Sequence, residues 1–201
     1  MPYSNFNLKK VKDELNISIT ETQGIFERIA SAEISDILGI LLEEHVPLAV
    51  SINTEKARSE LIVSNILVEV RRRFNHRISI FSGIELNVDK ERELNGFCDF
   101  IISRSSAQLT LNSPVVTIVE AKNENIVGGL GQCIAEMVAA NIFNIQEKNP
   151  MEKIYGAVTS GTTWQFLRLK ENDVEIDLKE YFIDNPGKIV GILSSMVEQT
   201  A

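Results

Sequence analysis

Cysteine and histidine are scarce in this chain of 201 residues, with two of each. Cys98 and Cys133 lie in apolar segments without a CxxC or Cys/His neighbourhood, so the ligands of a zinc site are missing. Two buried free thiols are the expected state, with a disulfide as the alternative. His45 and His76 both precede the strands that carry the candidate site, so neither is placed to select a zinc ion there. Long apolar runs are also absent. None approaches the roughly 20 residues that span a bilayer, and the first 16 residues lack the apolar middle of a signal peptide. The expectation is a soluble, cytoplasmic protein with no membrane partner. A basic excess is missing too. The formal net charge of −8 argues against a broad, non-specific nucleic-acid binder, whose surface would be positive. Two local basic clusters remain: Lys9, Lys10 and Lys12, and Arg71, Arg72, Arg73 and Arg77. Each fits a solvated face or the cation-favouring end of a helix, and each also fits phosphate contact. No linker rich in Gly, Pro or Ser divides the chain and no repeat recurs, so residues 1–201 read as one domain.

What is present is an ordinary globular mixture, 44% hydrophobic and 24% charged, enough for a full core. Residues 1–20 are weakly patterned and read as an N-terminal arm or a short docked segment. From Thr20 the pattern turns helical, with Ile25, Ile29, Ala32, Ile37, Leu38, Leu41 and Leu42 on one face and Pro47 as the stop. A second helix starts at Thr54, a suitable N-cap, and runs to about Phe74. Its apolar stripe is Leu61, Ile62, Ile66, Leu67 and Val70, with Glu60 beside it. Strands follow at 78–86, 97–102 and 115–119, rich in Val, Ile and Phe. Beyond Lys122, Gly128, Gly129 and Gly131 permit close backbone approach. A helix from Leu130 to about Ile145, studded with Ala135, Ala139 and Ala140, should lie close to the sheet. Residues 154–159 and 164–169 around Ser160–Thr163 form a hairpin signal, with Trp164 a core residue. Residues 174–182 suit a further strand and 186–199 a closing helix. The fold class is α/β: a mixed central sheet covered on both faces by helices.

Three ionisable groups stand where strands should not spend them. Asp99 lies inside an apolar run, and Glu120 and Lys122 end the next one, two apart and therefore on one face. A carboxylate buried without a partner costs more than the roughly 2–7 kcal/mol of a neutral polar group. Two carboxylates converging at one end of a sheet repel, so one takes a proton or a cation sits between them. Oxygen ligands of this kind suit Mg²⁺ or Mn²⁺. Lys122 is placed to position a water and to stabilise negative charge. Glu60 is a candidate to reach the metal through water, and Gln132 to fix a nucleophile or a phosphate, with Glu136 four residues on along the same face. Taken singly, Glu120 and Lys122 also fit solvated residues at a strand exit. Glu60 fits an ordinary helix residue, and Gln132 and Glu136 fit a helix surface.

In these residues the chain resembles the PD-(D/E)XK nuclease superfamily. Asp99 stands at the PD position, Glu120-Ala121-Lys122 at the (D/E)XK position and Gln132 in the following helix. The element order matches the family's restriction-endonuclease-like α-β-β-β-α-β core over roughly residues 54–170, with an added N-terminal helix and a C-terminal hairpin and helix. Residues 155–169 also look like the hairpin closing small stand-alone members. Cys98 replaces the motif's proline. The resemblance implies a Mg²⁺- or Mn²⁺-dependent endonuclease acting on DNA. Asp99, Glu120 and the Ala121 carbonyl would bind the metal, Lys122 would serve the nucleophilic water, and Glu60 would be the helix carboxylate. A homodimer suits cleavage of two strands. The alternatives are a nuclease acting on RNA and a catalytically silent interaction module that keeps the fold.

Overall fold

The computed structural model describes residues 3–199. The N-terminal segment is docked rather than loose. A 3-10 turn, Tyr3–Asn5, leads into α1 (Leu8–Leu15), whose N-cap Asn7 accepts the Lys10 N–H at 2.9 Å. Then comes β1 (Ser18–Thr22). The helix expected from Thr20 begins only at α2 (Asp36–Ile52), and residues 23–29 are turns. Here tertiary bonds override periodicity. Asp177, fully buried, accepts the N–H groups of Gly24 at 2.7 Å and Phe26 at 3.2 Å, which a helix would have used internally. Nor does Pro47 end α2. Leu38 and Leu42 before it and Ala49 after it are buried, and this shared face carries the helix through an exposed proline.

Thr54 caps the next helical run as expected, accepting the Ala57 N–H at 3.1 Å. That run consists of α3 (Glu55–Arg58), a π turn (Ser59–Val63) and α4 (Ser64–Arg73). Next come β2 (Ser79–Glu85), β3 (Phe97–Ser103), β4 (Val115–Ala121) and α5 (Ile126–Gln146). The chain closes with β5 (Ile154–Thr159), β6 (Thr163–Lys170), β7 (Asp173–Asp177), β8 (Tyr181–Phe182) and α6 (Pro186–Glu198).

The strands described form one open mixed sheet of eight, ordered β1-β7-β6-β5-β4-β3-β2 with β8 beside β6. β1 runs parallel to β7 and β4 to β5; the remaining pairs are antiparallel. One face carries Tyr3, Phe6, Val11 and α5 over Ile101, Ile118 and Val158. The other carries α2, α4 and α6 over Phe100, Val119, Tyr155 and Phe166. β4 is buried along its whole length, as an apolar strand covered on both sides must be. Trp164 is core, donating its indole N–H to Gly161 O at 2.9 Å. Cys98 and Cys133 are buried free thiols. α5 is the one described helix long and apolar enough to cross a membrane, and it is mostly buried against the sheet.

Candidate active site

The sheet opens where β3 and β4 stop pairing. Their ladder ends at Phe100 opposite Val119. Two residues further along β4, the Ala121 N–H donates to a side chain, Asp99 Oδ2, at 2.8 Å. On its other side β4 remains tied to β5, and the Lys122 N–H donates to Thr159 O at 2.8 Å. Asp99 therefore caps the loosened end of β4, beside Glu120.

Glu120 is 1% exposed. One of its oxygens, Oε1, is in contact with Lys122 Nζ, and the other, Oε2, is buried with no partner. Burial first, then the Asp99 charge, pushes its carboxyl up to about 8 despite Lys122. Burial works against the Lys122 ammonium, but Glu120, Glu55 and Asp99 outweigh it and hold that group above the ordinary lysine value. Lys122 Nζ also donates to Gln132 Oε1 at 3.2 Å, and Gln132 Nε2 donates to Glu136 Oε1 at 3.0 Å. The site is thus a chain of contacts from β3 through β4 into α5.

α5 reaches this place because it has small residues where it touches the sheet. A methyl group on Gly129 would sit 2.8 Å from Val158 Cγ1 and 3.0 Å from Lys122 Cγ, so only glycine leaves the lysine its room. On the sheet side, a methyl on Gly156 would meet Met137 Sδ at 2.4 Å and Cys133 Sγ at 2.9 Å.

Of the residues singled out in the sequence, Asp99, Glu120, Ala121, Lys122 and Gln132 come together. Glu60 stands apart: it is exposed in the π turn, with Lys56 Nζ 3.8 Å from its Oε1. The helix acid whose charge acts on Glu120 and Lys122 is Glu55, in the first turn after the Thr54 cap. Glu136, marked in the sequence only as Gln132's neighbour on one helix face, also joins the site and is not a surface residue. It is fully buried, with one oxygen unpartnered, and its carboxyl is raised well above the usual range by burial and then by Glu120. The sequence held a signal for it, since Glu136 is the sole charged residue within α5.

The oxygen donors suit a hard divalent cation. Among the described residues no three His, Cys, Asp or Glu side chains converge closely enough to hold a metal by themselves. Two carboxylates, a main-chain carbonyl and waters are nevertheless an ordinary Mg²⁺ set, and the unpartnered Glu120 Oε2 is the kind of atom a cation satisfies. Comparisons with protein-family models, curated protein sequences and solved structures find no match to this chain.

Proposed function

We propose that the chain is a Mg²⁺- or Mn²⁺-dependent nuclease of the PD-(D/E)XK kind, hydrolysing DNA phosphodiester bonds on a restriction-endonuclease-like core. The observation that carries the reading is the buried Glu120, with Lys122 on one oxygen, an unpartnered second oxygen and Asp99 adjacent. A structural role alone would give a buried carboxylate a full set of partners, as the protein does at Asp177, which takes four hydrogen bonds.

Asp99, Glu120 and the Ala121 carbonyl would hold the metal. When bound, it polarises a phosphoryl oxygen and makes a water acidic. The chain's own residues supply the rest. Lys122 brings a positive charge to the place where negative charge develops, and Gln132 limits where its ammonium can lie. The loosened end of β4 leaves the Ala121 carbonyl outside the β3 ladder.

The test is plasmid cleavage with Mg²⁺ or Mn²⁺ by the wild type, Asp99→Ala and Lys122→Ala. We expect each substitution to cost at least about a hundredfold in rate. Calorimetric titration with Mn²⁺ should show binding that Glu120→Ala abolishes. Full cleavage by both Asp99→Ala and Lys122→Ala sinks the reading. Mn²⁺ binding with no cleavage of DNA or RNA would favour the silent module, towards which the charge of −8 leans.

A further inference from the structure

Gln132 is the residue through which α5 touches the candidate site, and something must decide which end of its amide faces Lys122. An amide has a donor end and an acceptor end of nearly the same shape. The Lys122 ammonium can only donate, so it selects the carbonyl end. The amino end of this half-buried side chain is turned towards an acceptor on the far side. Glu136 provides it at 3.0 Å, one helical turn along α5.

Glu136 has no other evident reason to be ionisable. It is 0% exposed, and Ala135 and Met137 on either side of it are buried too. Its second oxygen has no partner, so it does not serve as a structural clasp. A methionine of similar length would pack there without the cost of burying a carboxyl.

We infer that Glu136 is a positioning residue: it holds the Gln132 amide in the one orientation that presents a carbonyl to Lys122, and so fixes where the lysine ammonium sits. Lys122 is then held from two sides, by Glu120 within its own strand and by the Gln132–Glu136 pair in the helix behind. Gly129, one turn before Gln132, leaves the space in which that hold is made. The geometric part stands on the contacts alone. Its consequence for catalysis rests on the nuclease reading.

The experiment separates the two. The side-chain Cε signal of Lys122 is followed by carbon NMR at one fixed pH in the wild type, Gln132→Leu, Glu136→Leu and Glu136→Gln. Both leucine variants should move the signal to a similar new position. Glu136→Gln, whose own amide can face Gln132 either way round, should broaden the signal or split it in two. In cleavage assays Glu136→Leu should lose about ten- to a hundredfold in kcat with little change in KM. The double variant Gln132→Leu/Glu136→Leu should be no slower than Gln132→Leu alone, because residues acting as one unit are not additive. A Lys122 signal that stays in place in both Glu136 variants overturns the inference. So do additive losses that follow thermal stability. A moved lysine signal in a protein that cuts no nucleic acid upholds the positioning and removes the nuclease reading instead. If Glu136→Leu does not fold, Glu136→Gln carries the same NMR test.

Discussion

Glu120 pays for its position in stability, and the cost depends on pH. In the unfolded chain its carboxyl ionises near 4.5, and in the folded protein only near 8. Between those values the folded form keeps a proton that the unfolded form has released. Stability therefore falls as pH rises across the window, at up to roughly 1.4 kcal/mol per pH unit for one such group. Glu136 is shifted in the same direction and adds to the slope. In metal-free buffer we expect a lower melting temperature at pH 8 than at pH 5, with a shallower slope in Glu120→Gln. Calorimetric melts across that range decide the matter. A wild type that gains stability towards pH 8, or a variant with an unchanged slope, would mean that this carboxyl is ionised in the folded state. The divalent cation proposed for this site would compete with the proton for the same oxygens, so its affinity should climb as pH rises towards 8.

At the scale of elements, α5 is where the fold and the site depend on each other. A methyl group on Gly131 would lie 2.4 Å from Asn7 Cα and 2.7 Å from Phe6 O, main-chain atoms that cannot turn aside. Gly131→Ala should therefore destabilise by about 1–3 kcal/mol by prising the N-terminal segment off α5. Gly39 in α2 has open space around its Cβ position, so Gly39→Ala should stabilise by up to about 1 kcal/mol. Urea unfolding of the two variants measures both effects, and equal shifts of one sign would contradict the packing account. The same contrast explains what could be read in advance. β3, β4, α5 and the β5–β6 hairpin were legible because their apolar runs are dense and their turn residues local. β1 was not, because it pairs with β7, about 150 residues later. The turn at 23–29 leaves no local signal because its partner is the Asp177 carboxylate on that distant strand. The strand acids and the lysine were visible as charges inside apolar runs. Glu55 and Glu60 carry the same chemistry five residues apart, and only the packing of their helix against the sheet distinguishes them.

Over the whole molecule the arginines that offered themselves for phosphate contact turn out to be used by the fold. Arg72 donates to Glu69 at 2.8 Å and to Ser35 Oγ at 2.7 Å, clamping the start of α2. Arg73 donates to Glu33 O at 2.9 Å, Arg71 to Ile78 O at 3.2 Å and Arg77 to Phe74 O at 3.2 Å. This group also lies towards the wrong end of the sheet. β2 begins just after Arg77, with Ser79 opposite Ser103, whereas Asp99 lies towards the far end of β3, where Ile84 faces Cys98. At about 3.3 Å per residue, the four strand steps from Ser103 to Asp99 alone put more than 10 Å between them. Lys10 of the other cluster is taken up by Glu93 and Glu14. With a net charge of −8 and with the arginine cluster and Lys10 engaged in this way, the protein, if it binds DNA as proposed, should neutralise few phosphates. The prediction is a shallow salt dependence. A plot of log affinity for a DNA duplex against log salt, measured with Ca²⁺ or with Lys122→Ala to prevent cleavage, should have a slope between about −1 and −3. Substituting Arg71 and Arg77 together by alanine should leave that slope unchanged. A slope near −6 that flattens in the double variant would instead show the DNA lying across the arginine end of the sheet.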